Sequence, residues 1–466
     1  MASLPQDPHA STVPLSTAPS PSSSPAKKAK LLTMTPSLEA ALHNLNLRYC
    51  LVEHLPAIAS IPTLTDPDLH IYSRGEFINT LHGNRFADGR NVAQEWVRWP
   101  KQKRATKLTY APGKPEIHNS SLNTWIPSSI TPKKGKLTYW ENYLNHIFSS
   151  DPTHREWFEA WLAYQFQHPG VKLHTATVFW SNQTSTGKSL FGYIMGTLFG
   201  ENNFAEIGEG DLHGAFNYWA ARKQFVMGEE IRGANAQKQA DSLKAIITRK
   251  TVTINTKNTP HYTLPDCINY FFTSNHSDAF FLDRTDRRFF VHELGPEKLK
   301  ADYVNHEFMP WLKQEGYASI LYWLLNTVDL KKPVYEDLPF NPFGAAPQTR
   351  ARSAMIEAGR EEVDVWLEYL VSSGNDIFYG TPKWKLATAE DLHEQFRTAY
   401  PHVRVTYRSF VSRLRAVCPM VRGGNAVHIL EGEPAKRIYC PPAGLRVYER
   451  ATEEELISSY TSGRDS

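Results

Sequence analysis

The sequence predicts an α/β protein: a parallel-sheet core built around a phosphate-binding loop, preceded by a mixed domain and followed by a winged-helix-like unit. Three observations predict it. Short apolar runs alternate with helical stretches between about residues 170 and 295, the rhythm of a parallel sheet with crossover helices. Within that region T-V-F-W-S-N-Q-T-S-T-G-K-S-L-F-G, Thr177 to Gly192, reads as strand, loop and helix with a phosphate-loop ending. Near the C-terminus two amphipathic helices precede two short strands, A-V-H-I-L and R-I-Y-C.

The bulk composition removes several alternatives. With 466 residues the chain suits two or three domains, and 41% apolar residues supply ordinary cores. No apolar run reaches the ~20 residues of a spanning helix, and the first 25 residues lack the apolar centre of a signal peptide. A soluble, cytosolic protein without membrane contact is expected. The four cysteines are far apart in sequence and form no C-x-x-C, and the 18 histidines form no H-E-x-x-H. Disulfides, structural zinc and protease-type metal sites therefore have no support. A net charge of +3 is too mild to identify a nucleic-acid binder by itself.

The divisions follow from composition and periodicity. Residues 1–36 are rich in Ser and Pro and are expected to be disordered, because such a segment buries too little apolar surface to offset its ordering entropy. Residues 37–135 read as a mixed α/β domain, and 136–170 as a helical collar leading into the core. In the collar, Thr138–Phe148 and His154–Phe166 have helical spacing, and the second stops at Pro169-Gly170. The core spans 171–300, with strands predicted at Thr175–Trp180, Gln224–Gly228, Asn269–Thr273 and Arg288–Glu293, and a helix at Ser189–Leu198. Residues 301–375 read as a helical lid or linker, 385–445 as the winged-helix-like domain and 446–466 as a flexible tail.

A phosphate loop works through geometry. Successive backbone N–H groups converge on a phosphate, and the following helix N-terminus adds positive potential. The ATP-binding candidates are Asn182, Gln183, Thr184, Ser185, Thr186, Gly187, Lys188, Ser189 and Leu190. Lys188 would reach the β- and γ-phosphates, and Ser189 would place its hydroxyl on Mg²⁺. Asn182 stands where the motif has an earlier glycine; asparagine tolerates left-handed backbone angles, so it is expected to replace glycine at a turn.

The loop needs partners downstream, and the sequence supplies them. After the strand Q-F-V-M-G come Glu229 and Glu230. ATP hydrolysis needs one carboxylate near the metal and one to orient or deprotonate water; Glu229 takes the metal role and Glu230 the water role. The strand N-Y-F-F-T-S-N ends in Asn275, placed to orient the attacking water or touch the γ-phosphate. Arg287 and Arg288 precede the next strand, where an arginine can project into a neighbouring subunit and stabilise transition-state charge. That arrangement requires a head-to-tail ring; the alternative is pairing within the chain, to Asp283 or Asp286.

This ordered set resembles superfamily 3 helicases of the AAA+ class, and among them the helicase domains of phage, plasmid and poxvirus-type primase–helicases. The resemblance rests on W-L-A-Y-Q-F-Q-H-P-G-V-K, G-A-F-N-Y-W-A-A-R-K-Q-F-V-M-G-E-E, L-K-A-I-I-T, F-F-T-S-N and D-R-R-F-F-V, together spanning about residues 136–295. Two departures are Asn182 for the usual glycine and Glu229 for the commoner aspartate. The resemblance implies an AAA+-type core, ATP and Mg²⁺ as cofactors, and a homo-oligomeric, hexameric ring acting on single-stranded and forked DNA. It also implies a DNA-contacting β-hairpin between the acidic pair and the Asn275 strand. Thr251–Thr256 and His261–Leu264 alternate as a two-stranded ribbon would. Its DNA-contact candidates are Lys257 at the tip, His261 beside it and Lys250 at the base.

In the C-terminal part Thr388 caps a helix, and V-T-Y-R-S-F-V-S-R-L-R-A-V has helical spacing with Arg408, Arg413 and Arg415 off its apolar face. These three are candidates for major-groove contact, although winged helices also serve as protein-contact modules. The expected function is that of an ATP-dependent replicative DNA helicase of a phage or mobile element, working in the cytoplasm of a bacterial host, with a separate primase or replication protein as a further partner. The alternative is an origin-binding initiator whose ATPase switches assembly without processive unwinding.

Overall fold

The computed structural model describes residues 36–462 except 215, 231–235, 256–260, 278–281, 283–284, 359, 374–385, 430–433, 441 and 443–444. The expected disordered segment 1–36 lies almost wholly outside the described residues, as does Lys257. No described helix is long and apolar enough to cross a membrane. All four cysteines are buried and free.

Five short strands make the central sheet: β1 (Ala176–Trp180), β2 (Phe204–Ile207), β3 (Phe225–Gly228), β6 (Asn269–Ser274) and β7 (Phe289–Glu293). Between β3 and β6 lie helix α4 (Ala236–Thr248) and the strands β4 (Thr251–Ile254) and β5 (Tyr262–Pro265), which form a separate ribbon. The sheet order is β7-β1-β6-β3-β2, and every neighbouring pair is parallel. The chain leaves β1 for the far edge at β2 and works back to β6. It then crosses over β1 to reach β7 on the other side. The direction of winding thus reverses between β1 and β6, and a crevice opens outside the carboxyl ends of strands at such a switch point.

Both faces of the sheet are covered, which explains why its strands are nearly continuous apolar runs. Alternate residues point to opposite faces. Ala176, Val178, Val226, Tyr270, Phe272, Phe289 and Val291 face a core shared with the N-terminal domain. Phe179, Phe225, Met227, Phe271 and Phe290 face helices α1 (Thr138–Ile147), α2 (Arg155–Gln167), α3 (Lys188–Phe199) and α5 (Tyr317–Asn326). On that side Phe191 of α3 lies 5.5 Å from Phe179, 4.9 Å from Phe271 and 5.3 Å from Phe158, ring centre to ring centre. Burying each such ring contributes about 1.5–3 kcal/mol, so this cluster fixes where α3, and hence the loop before it, sits. A Cβ on Gly196 would lie 2.7 Å from the Phe204 ring, so α3 rides closer to the sheet than alanine would allow.

Strand β2 was not anticipated: F-A-E-I is short and has only one fully buried residue, Ile207, so its apolar pattern is weak. The other four strands and α3 match expectation to within a residue or two. Trp140, Trp157 and Trp161 are core residues.

The N-terminal domain has a four-stranded and a three-stranded sheet with three helices. It is joined to the central sheet by the Tyr110 hydroxyl, which donates to Asn203 (2.8 Å), and the Trp125 indole, which donates to Gln224 (3.0 Å).

At the other end, α7 (Ala389–Ala399) and α8 (Tyr407–Val417) pack with α6 (Glu362–Ser373), and residues 387–388 pair with 438–439. Thr388 caps α7 in a reciprocal box with Asp391, as expected. Two expectations are corrected here. Helix α6, assigned to the lid, buries Val363, Trp366, Leu367 and Leu370 in the C-terminal core. The supposed flexible tail forms α9 (Glu453–Ser462), which buries Leu456 and Tyr460 and donates a 2.6 Å hydrogen bond from Tyr460 to the capping Asp391. Its polar sequence hid two anchoring residues one helical turn apart.

Candidate functional site

The loop Ser181–Gly187 leaves the carboxyl end of β1 and enters α3 directly, at the switch point of the sheet. Two loop residues have left-handed angles, Ser185 (φ 61) and Gly187 (φ 100). Asn182 does not, which corrects the expectation that it stands in for a left-handed glycine. At Gly187 a side chain would be strained by its angle and would meet Leu299 at 2.7 Å.

The loop lines a cleft of about 410 Å³ together with Glu229, Glu230, Thr273, Ser274 and Asn275. These come from the ends of three adjacent strands, β1, β3 and β6. The opposite wall is Leu299, Ala301, Val304 and Asn305, from the segment after β7. Thr184, Ser185, Thr186, Gly187, Lys188, Ser189 and Leu190 all line the cleft; Asn182 and Gln183 do not.

Lys188 is only 7% exposed. Its ammonium donates to the Gln183 carbonyl at 3.0 Å and lies 3.4 Å from Ser181 O and Thr186 Oγ1. Burial pulls its pKa down to about 8, against the opposing pull of Glu230. The Ser189 hydroxyl donates to the Glu229 carboxylate, so the two residues expected to share a metal already touch. Asn275 donates to Glu230 at 3.0 Å. Glu230 itself has φ 49, a left-handed angle rare for a non-glycine residue; such strain concentrates at functional positions.

Two residues at this site were not foreseen. Glu206, at the end of the unanticipated β2, shares a surface pocket with Glu229 and Glu230. Burial and hydrogen bonding to Glu229 raise the Glu206 pKa. Burial and the same two carboxylates push the Tyr193 hydroxyl up to about 12. The donor set around Ser189 is oxygen only, which fits a hard cation such as Mg²⁺. Among the described residues no group of three or more His, Cys, Asp or Glu could hold a metal alone, so a cation here would depend on substrate phosphates and water, as Mg²⁺ commonly does.

Arg287 and Arg288 lie elsewhere. They precede β7, whose Phe289 pairs with Ala176 at the start of β1, whereas the loop follows the end of β1. A strand of that length separates them from their own cleft by roughly 15 Å. Arg288 is held by Asp286, its guanidinium 3.2 Å from the carboxylate, so for Arg288 the pairing within the chain is the one realised. Arg287 is exposed and has no side-chain partner among the described residues.

The ribbon forms between the acidic pair and the Asn275 strand, with Thr251 opposite Pro265 and Ile254 opposite Tyr262. Its base is tied down by the buried Asp266, which takes Lys172 at 2.9 Å and Arg249. Lys250 and His261 are exposed on it. A neighbouring segment adds residues that sequence reasoning passed over. Asn217 donates to Thr253 O (2.8 Å) and accepts from Asn255 N–H (2.7 Å), clamping its segment to the ribbon. Its neighbours Phe216 and Tyr218 are 53% and 57% exposed. The signal was present in the quoted G-A-F-N-Y-W, but nothing in it says which aromatics stay outside.

Of the C-terminal arginines, Arg408 and Arg415 are exposed, the latter 3.3 Å from the Tyr439 hydroxyl. Arg413 is not available for a groove: it pairs with Glu361 at 2.7 Å and with Asp364, bridging α8 to α6. Helical spacing placed it off the apolar face but could not reveal acidic partners some fifty residues upstream.

Fold and site together define an α/β protein with a parallel central sheet and a cleft at the carboxyl ends of its strands, lined by the loop that enters α3. A family model matches residues 179–288, and that family is described only as one of unknown function, DUF5906. The chain is 27% identical over 222 residues to the DNA primase-polymerase of Nitratiruptor phage NrS-1, a match covering 46% of this chain and 30% of that protein. The chain thus spans less than a third of that relative's length. Two solved apo structures of the NrS-1 C-terminal region are similar over 86% of this chain and 98% of theirs, with TM-scores of 0.61 and 0.59 at 16% identity. At that identity the likeness is one of fold.

Proposed function

We propose that this chain is the ATP-hydrolysing part of a phage-type DNA replication protein, an AAA+-type P-loop core that assembles head-to-tail and drives DNA unwinding. The observation that carries the reading is the convergence of Lys188, the Ser189–Glu229 pair and the Glu230–Asn275 pair on one cleft at the switch point. Similarity to a phage primase-polymerase supports the replication setting.

In this reading Lys188 and the loop amides bind the phosphates, and Ser189 with Glu229 would hold Mg²⁺, which would neutralise phosphate charge. Glu230, aimed by Asn275, takes the proton of the attacking water. Arg287, remote from its own cleft, completes the cleft of a neighbouring copy. The ribbon and the exposed Phe216 and Tyr218 grip a single strand, with phosphates met by Lys250, Lys257 and His261 and bases stacked on the aromatics. The C-terminal unit is a winged helix whose exposed Arg408 and Arg415 contact duplex phosphates.

The test is unwinding of a labelled forked duplex. ATP-dependent strand separation supports the helicase reading. DNA binding and ATP turnover without strand separation would favour the initiator reading instead.

A further inference from the structure

Three consecutive carbonyls of the phosphate loop are held from outside the loop. Ser185 O accepts from the Leu299 N–H at 3.0 Å. Thr186 O lies 3.1 Å from His146 Nε2, and Gly187 O accepts from the Tyr143 hydroxyl at 2.7 Å. A carbonyl only accepts, so His146 Nε2 carries the proton in this contact. Tyr143 and His146 are three residues apart on α1, which also buries Trp140, Leu144 and Ile147 in the aromatic core.

In a trans peptide the carbonyl of one residue and the N–H of the next point in opposite directions. Drawing the carbonyls of Ser185, Thr186 and Gly187 outward therefore turns the N–H groups of Thr186, Gly187 and Lys188 towards the cleft. Converging N–H dipoles repel one another in the absence of an anion, so such a nest needs support from its surroundings. We propose that Tyr143 and His146 are positioning residues for phosphate binding: helix α1 braces the loop in its anion-accepting form. This rests on the ATP reading above. It also makes the collar helix part of the nucleotide site, so displacement of α1 would weaken nucleotide binding without touching any group that contacts nucleotide.

Tyr143 is fully buried, and its ring packs 5.1 Å from Phe308 and 5.7 Å from Trp140. Tyr143→Phe keeps that packing and removes only the donor. Dissociation constants for ATP, ADP and adenosine should be measured for the wild type, Tyr143→Phe, His146→Leu and His146→Gln. Tyr139→Phe, on the same helix but packed against Tyr303 and Trp311, serves as control. The expected result for Tyr143→Phe and His146→Leu is roughly three- to tenfold weaker binding of ATP and ADP. Adenosine affinity and the kcat at saturation should stay within about twofold, with partial recovery in His146→Gln, whose amide can still donate. Wild-type ATP affinity in both Tyr143→Phe and His146→Leu would overturn the brace alone, as would equal losses for adenosine. Failure of the wild type to bind ATP would overturn the brace together with the function it rests on.

Discussion

Asn275, at the end of β6, donates a 3.0 Å hydrogen bond to Glu230, which sits just past the end of β3 in a left-handed conformation. The pair spans two adjacent strands and fixes one carboxylate at the mouth of the phosphate-loop cleft. On the proposed reading Glu230 is the general base, a group that must be held within reach of the proton it takes. Glu230→Gln keeps size and the Asn275 contact but cannot take a proton. ATP turnover should fall by roughly 10²–10⁴-fold with ATP affinity within a few-fold of wild type. Asn275→Ala should lose less, and measured turnover and binding in both variants check the assignment.

Lys188 predicts a pH dependence. Its pKa is lowered to about 8 by burial, and only the ammonium form attracts phosphate. Affinity for ATP should therefore be at its plateau below pH 8 and weaken above it, by up to about tenfold per pH unit, until the bound-state pKa is passed. In Lys188→Arg the guanidinium stays charged throughout, so whatever affinity that variant keeps should not fall over the same range. Titrations between pH 6.5 and 9.5 give the comparison.

Arg287 lies at the opposite end of the central strands from its own loop, and on the proposed reading it serves the cleft of another copy. Arg287→Ala and Lys188→Ala should each lack turnover. Mixing the two inactive proteins should restore part of it, because some interfaces then pair an intact loop with an intact arginine. Arg288→Ala, by contrast, should mainly remove one cation paired with the buried Asp286, leaving Lys244, and lower stability. Turnover assays on titrated mixtures read this out.

Phe216 and Tyr218 stand exposed on a segment clamped to the ribbon. Replacing either with alanine should weaken single-strand binding by about 1–3 kcal/mol while leaving DNA-free turnover unchanged. Fluorescence anisotropy on an oligonucleotide and ATPase assays with and without DNA measure the two effects.

His292 is buried beside Phe148 and lies within hydrogen-bond distance of Ile147 O at 2.9 Å. Burial lowers its pKa to about 4. Between about pH 6.5 and 4 the unfolded chain takes up a proton that the folded chain refuses, so stability is lost as pH falls through that window. The loss is at most about 3 kcal/mol, and a His292→Gln variant should show a shallower acid slope in denaturant melts.

Much of this arrangement was legible because it is local. Strand, loop and helix around Thr177–Gly192 follow from periodicity and one motif, and the ribbon is implied by the family resemblance and fitted by the alternation of Thr251–Thr256 and His261–Leu264. The acidic pair and Asn275 were found because each ends an apolar strand, and parallel strands bring their carboxyl ends to one edge. What escaped depends on partners distant in sequence. Glu206 belongs to a strand with one buried residue. Arg413 is neutralised by Glu361 and Asp364, and α9 is anchored by Leu456 and Tyr460 on an otherwise polar surface. The left-handed positions are Ser185 and Gly187 rather than Asn182, in a loop held by α1 and Leu299, contacts that no spacing rule encodes.

Hydrolysis of ATP in the cleft is read by steady-state phosphate release from the wild type and Lys188→Ala, with and without single-stranded DNA. Turnover in the wild type should be stimulated by DNA and should fall at least about a hundredfold in the variant, with folding unchanged. Turnover in Lys188→Ala equal to that of the wild type, or none in the wild type under any condition of DNA and Mg²⁺, would contradict hydrolysis in the cleft.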